Sequence, residues 1–180
     1  AMTREQRKAA EKEIISAMNY FPKELQWTYE SLEVMSVERK QQLILEHFLS
    51  PTDEDARLVN SWIASDWPYG RWIFLSNDKE VFILVNDEDN RLGVLQQWGN
   101  IASTFNKLAT VDKILRTHLS YATSPIYGNL VSCPTNIGTG MRLSALVTLP
   151  NLCQRQDFLK KVANKFWLAI RGHYGEHSKV

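Results

Sequence analysis

The chain has 180 residues, 44% of them hydrophobic and 23% charged, with 21 Lys+Arg against 20 Asp+Glu and a formal net charge of +1. That length and composition fit one soluble globular domain with its own core, and the near-neutral balance excludes the strongly basic footprint of a nucleic-acid binder. No apolar run is long enough to span a bilayer, and residues 1–10 are too polar for a secretory leader.

Thr3 and Gln6 are spaced as a capping box. They open a helix whose core positions are Ala10, Ile14, Ala17 and Met18, ending at Phe21-Pro22. Residues 28–34 read as extended. Ser36 caps a second helix with Leu43, Ile44 and Phe48 inward, closed by Pro51. Thr52 and Asp53-Glu54-Asp55 suit the start of a third helix, where negative charge meets the positive end of the dipole. Residues 71–75 and 81–86 read as two strands joined by the turn chemistry of Ser76-Asn77-Asp78-Lys79. In the second, Val81, Ile83 and Val85 alternate with Phe82 and Leu84. Both faces are apolar, so this strand is expected to be central and covered on both sides. After an acidic loop, residues 91–97 form a third strand. Asn100 caps a long helix through Phe105, Leu108, Val111, Ile114 and Leu115. Residues 129–132 read as extended, 141–149 as a strand, 154–165 as a helix and 167–171 as a last strand. The tryptophans at 62, 67, 72, 98 and 167 are assigned to the core. The fold class expected is α+β, a mainly antiparallel sheet flanked by helices, with residues 1–180 as one domain.

The chemistry concentrates in Cys133-Pro134-Thr135-Asn136-Ile137-Gly138-Thr139-Gly140. Pro134 sets the chain direction, and Gly138 and Gly140 permit positive φ or close approach to a ligand. In the strand that follows, Leu143, Ala145, Val147 and Leu149 share one face, with Arg142, Ser144 and Thr148 on the other. From the residues alone two readings stand: a tight loop with a structural cysteine and a surface arginine, or a site into which Arg142 points. Cys133 and Cys153 do not make a disulfide framework and are read as reduced and intracellular.

The stretch Cys133-Pro134-Thr135-Asn136-Ile137-Gly138-Thr139, with Arg142 at its spacing, resembles the signature of phosphagen kinases, the ATP:guanidino phosphotransferases. Glu46-His47-Phe48-Leu49, Trp67-Pro68-Tyr69-Gly70-Arg71 with Asn77-Asp78, and Val85-Asn86-Asp87-Glu88-Asp89 resemble further family segments in the same order. Arg171-Gly172-His173-Tyr174-Gly175-Glu176-His177 resembles the arginine-kinase tail, and bacterial protein-arginine kinases have a similar stretch. The resemblance implies the glutamine-synthetase/guanidino-kinase type of catalytic domain. It implies transfer of the γ-phosphoryl of MgATP to a guanidino nitrogen. Arg91, Arg142 and Arg171 would hold the ATP phosphates and His47 would lie near the adenine. Glu88 and Glu176 would orient and deprotonate the guanidinium, with Cys133 beside it as a thiolate that Thr135 favours. The cofactors implied are ATP/ADP and Mg2+, the metal held mainly by phosphates and water.

Several departures temper the resemblance. The family's small N-terminal domain, its Ser-Arg-Val-Arg strand and its last sheet and helix segments have no counterpart here, so the chain reads as cut short at both ends. One residue is lost in Asp87-Glu88-Asp89-Asn90-Arg91. Either Arg91 takes the place of a phosphate-binding arginine or Leu92 does, with Arg91 turned to the other face. Leu146 stands where the family has a histidine. The leading expectation is an arginine-kinase-like, cytoplasmic catalytic domain acting on a small guanidino molecule. It has no nucleic-acid or membrane partner, and either a homodimer or flanking domains complete it. Two alternatives remain open: a degenerate relative serving assembly or nucleotide sensing, and a protein-arginine kinase.

Overall fold

The computed structural model describes residues 2–23, 25–49, 59–64, 66–85 and 89–171. Two compact units divide the chain, Ala1–Gly140 and Met141–Val180.

The first unit is built on a four-stranded antiparallel sheet. Its strands are β1 (Trp27–Ser31), β2 (Trp72–Ser76), β3 (Val81–Val85) and β4 (Arg91–Val94), in that spatial order. The turn at 76–79 makes β2 and β3 a hairpin, as its residues predict. Ser76 sits at the pivot: its hydroxyl accepts the Val81 N–H at 2.9 Å and donates to Asp78 at 2.5 Å. Helices α1 (Arg4–Met18), α2 (Val37–Leu45) and α3 (Ile101–His118) flank the sheet, each opening at its expected cap. Thr3 and Gln6 close the reciprocal capping box, Ser36 accepts from Arg39 N, and Asn100 accepts from Ser103 N.

The sheet is covered on both faces. Trp72, Phe74, Val81 and Ile83 pack with Ile14, Ala17 and Phe21 of the α1 region and with Val111 and Leu115 of α3. Ile73, Leu75 and Leu84 point the other way, onto Leu32, Leu43, Phe48 and Leu49. The all-apolar reading of β3 therefore holds, and the strand lies between β2 and β4. The expected third helix start at 52–55, with Pro51 before it, lies outside the described residues.

The buried side of α1 departs from the sequence reading, because it carries Arg7 and Glu11 beside Ile14 and Ala17. Buried charge is tolerated only with partners. Arg7 reaches Asp66 at 3.4 Å, and Tyr29 donates its hydroxyl to Glu11. Burial, with that bond and the nearby Glu11 charge, pushes the Tyr29 hydroxyl up. Arg71, fully buried at the entry to β2, donates to Asp66 at 2.9 Å, to the Tyr69 carbonyl at 2.7 Å and to the Ile63 carbonyl. Burial alone would raise the Asp66 carboxyl, but the Arg71 hydrogen bond and the charges of Arg7 and Arg71 hold it below its usual value.

The second unit differs from expectation. Residues 141–149 and 167–171 form no strand, whereas the helix expected over 154–165 is present as α5 (Gln156–Lys165), preceded by a one-turn helix α4 (Pro150–Cys153). Among its described residues only Ala163 is buried. Alternation alone does not make a strand, because its backbone donors and acceptors need a neighbour. The tryptophan assignment also needs correction. Trp72 is fully buried and Trp67 packs on the second core, but Trp62, Trp98 and Trp167 are exposed. Each of those three has positive φ, a backbone conformation found where the chain turns sharply outward.

Candidate active site

The signature cysteine loop begins at a two-residue hairpin, β5 (Thr123–Ser124) with β6 (Gly128–Asn129). Of the stretch 129–132 expected to be extended, only Asn129 lies in a strand. Asn129 closes the loop. Its N–H donates to the Gly138 carbonyl at 2.9 Å and its carbonyl accepts from Gly138 N at 3.1 Å. Its side-chain amide donates to the carbonyls of Gly138 and Thr139 at 3.0 and 3.1 Å. The two chain segments approach closely here. A Cβ on Gly128, whose φ is +73°, would lie 2.7 Å from the Gly138 oxygen, so neither the backbone angle nor the space suits another residue.

Within the loop, Cys133 precedes a single 3-10 turn (Pro134–Asn136), and its carbonyl accepts from Asn136 N at 3.0 Å. The half-buried Sγ lies 3.0 Å from Thr135 Oγ1. A hydroxyl that donates to a sulfur favours its thiolate form, and either group of this pair can be the donor.

The acidic connection between β3 and β4 reaches this loop. Asp89 accepts the Ser132 N–H at 2.9 Å on Oδ1 and 3.2 Å on Oδ2, and the Ser132 hydroxyl donates to Oδ1 at 2.8 Å. Glu88 itself lies outside the described residues, but its neighbour Asp89 is tied to the residue before Cys133. The sequence reading named Asp89 only as part of an acidic run and gave Ser132 no role. Their separation of 43 positions hides the link from any local pattern.

The register of β4 settles which way Arg91 faces. Leu92 stands opposite Ile83 and packs on the α1/α3 core, whereas Arg91 stands opposite Leu84. Directly opposed residues share a face, so the exposed Arg91 lies on the Leu84 side of the sheet. Arg91 and Cys133 are thus each within two residues of the Asp89–Ser132 link.

The remaining candidates are His47, Arg142, Arg171 and Glu176. His47 is exposed just beyond the end of α2, with φ of 66°. Its N–H donates to the Ile44 carbonyl, while Phe48 N and Leu49 N both donate to Leu43 O, returning the chain to the core. A left-handed residue closing a helix in this way has a sufficient structural role. Arg142 and Arg171 belong to the second unit, where both are exposed and in irregular backbone. Glu176 lies outside the described residues. Among the described residues no group of three His, Cys, Asp or Glu side chains could hold a metal ion.

Residues 9–180 match the family model described as ATP:guanido phosphotransferase, C-terminal catalytic domain. The arginine kinase of Limulus polyphemus is 35% identical over 179 residues, covering 99% of this chain and 50% of that enzyme. The taurocyamine kinase of Schistosoma mansoni is also 35% identical, over 99% of this chain and 24% of its own length. The solved structure of that duplicated taurocyamine kinase with bound transition-state-analogue components superposes with a TM-score of 0.91 at 34% identity, over 99% of this chain and 25% of that one. A lombricine kinase structure gives 0.84 at 31% identity, over 98% of this chain and 50% of that one. The chain spans about half the length of the Limulus polyphemus and Turbo cornutus arginine kinases. It therefore belongs to the ATP:guanido phosphotransferase family, whose C-terminal catalytic domain it matches along nearly its whole length.

Proposed function

We propose that this chain is the catalytic part of an arginine-kinase-like enzyme that moves the γ-phosphoryl group reversibly between MgATP and a guanidino nitrogen. The observation that carries this reading is the cysteine loop, with the Cys133 sulfur 3.0 Å from the Thr135 hydroxyl and Ser132 held by Asp89 of the acidic connection. A guanidinium is planar, cationic and hard to deprotonate. Two anions of different kinds suit it: a thiolate from Cys133 to lie against it, and the carboxylates of Glu88 and Glu176 to orient it and take its proton. Phosphoryl transfer depends on alignment and charge neutralisation more than on covalent work by the protein.

When bound, MgATP supplies the transferable phosphoryl group. Arginine side chains suit its phosphates because the guanidinium fork grips two oxygens at once. Arg91, Arg142 and Arg171 are the residues proposed for that grip, and His47 for the adenine. Arginine is the proposed guanidino substrate, the cytoplasm the proposed location, and residues 1–180 a single partial domain completed by flanking segments or a second copy. No helix among the described residues is long and apolar enough to cross a membrane.

A second reading, a relative that keeps the fold without efficient catalysis, is favoured by Leu146 in the place of the family's histidine. The two are separated by measuring ATP-dependent phosphorylation of arginine by the full-length protein that contains this chain, as wild type and as Cys133→Ser. Loss of an aligned thiolate is expected to lower kcat by about 10²-fold, with the melting temperature unchanged. Wild-type turnover by Cys133→Ser would remove the cysteine from the mechanism. Absence of turnover in the wild type would favour the second reading.

A further inference from the structure

We propose that Asp89 is a positioning residue of this site: by clamping Ser132 it sets where the Cys133 sulfur sits relative to the start of β4. The proposal rests on the phosphotransfer reading above and adds to it a residue that ties the cysteine loop to the segment leading into Arg91.

The geometry is specific. Both carboxylate oxygens of Asp89 accept the Ser132 N–H, and Oδ1 also accepts the hydroxyl. Ser132 is thereby held at both its backbone and its side chain. Hydrogen bonds to a charged acceptor are shorter and stronger than neutral ones. The loop is closed at its far side by Asn129 against Gly138 and Thr139, and shaped internally by the turn from Cys133 to Asn136. Those bonds set the loop's own shape. The Asp89 clamp sets its place against another element, the β3–β4 connection, which leads within two residues to Arg91 at the start of β4.

The energetics point to position rather than stability. Ser132 is exposed and Asp89 only half-buried, so water can replace these bonds when they are lost. Exposed polar links of this kind contribute little to folding. Their effect on chemistry is larger, because a misplacement of about 1 Å between reacting groups can cost about 10²-fold in rate. A stability residue and a positioning residue therefore predict different outcomes for the same substitution.

The test compares wild type, Asp89→Ala and Asp89→Asn in the full-length protein that contains this chain. The asparagine carbonyl oxygen can still accept from Ser132, whereas alanine cannot. Two quantities are measured: turnover of ATP with arginine, and the rate of Cys133 alkylation by iodoacetamide across pH, read by peptide mass so that Cys153 is counted apart. Asp89→Ala is expected to keep the wild-type melting temperature, to lose about 10-fold or more in kcat, and to alkylate at Cys133 at a clearly altered rate. Asp89→Asn is expected to recover most of both. An unaltered Cys133 alkylation profile in Asp89→Ala overturns the proposal, as does a loss that tracks the melting temperature alone. Should the full-length wild type itself lack turnover, the kinase reading falls and the alkylation comparison still decides whether Asp89 positions the cysteine.

Discussion

Strand β3 is apolar on both faces and residues 141–149 on one, yet only the first became a strand. β3 has β2 on one side and β4 on the other, and a helix-backed core on each face. Residues 141–149 have exposed side chains throughout and belong to no strand. The lesson is that alternation specifies which faces a strand would have, while pairing decides whether the strand exists. Hydrogen bonding to a neighbour and burial of a face arrive together, and neither is encoded within the segment itself.

The comparison can be broken where the first unit is most committed. Arg71→Ala removes a fully buried guanidinium and deprives Asp66 of the arginine that meets it at 2.9 Å. It is expected to cost about 3–5 kcal/mol in a denaturant titration. A loss under about 1 kcal/mol would mean that the buried cluster is not what seats the entry to β2.

Ile83→Ala and Val147→Ala sharpen the contrast directly. Ile83 is fully buried in the centre of β3, and its truncation is expected to cost about 2–5 kcal/mol. Val147 is exposed, and the same measurement is expected to give less than about 0.5 kcal/mol. Comparable losses at the two positions would show that 141–149 is packed as firmly as β3.

The smallest effect concerns acid. Burial would raise the Asp78 carboxyl, but the Ser76 hydroxyl, the Glu80 N–H and the Lys107 ammonium together hold it at about 2, against a usual 3.8. Lys107 lies 3.0 Å from Asp78 and 2.6 Å from Glu80. A depressed folded value means that the stabilisation is fully present above pH 3.8 and is lost as pH falls towards about 2. The stability gap between wild type and Asp78→Asn is therefore expected to close across that window. A gap that stays constant from about pH 5 to about pH 2 would remove Asp78 from the acid response.

Much of the first unit was legible because its signals are local. Thr3 with Gln6, Ser36 and Asn100 each satisfy an orphan N–H within a few residues, and the turn after β2 uses its own side chains. The cysteine loop was legible in composition: its glycines, proline and Thr135 lie where its shape and the Sγ contact need them. Arg7 and Glu11 were missed because charged residues at helical core spacing read as solvated until Asp66 and Tyr29 arrive from elsewhere in the chain. Trp62, Trp98 and Trp167 misled for the opposite reason, since large aromatic surface is usually buried and backbone angle is not written in the side chain.

By itself the sequence determined the caps, the hairpin, the two-faced character of β3, the α+β class and the family-like loop, because each rests on contacts between near neighbours or on periodicity. Only the tertiary structure decided that Arg91 lies on the Leu84 face, that Asp89 holds Ser132, and that 141–149 forms no strand. Those outcomes depend on register and on pairing across tens of residues. A shift of one residue or the lack of a neighbour reverses them without changing a letter of the local pattern.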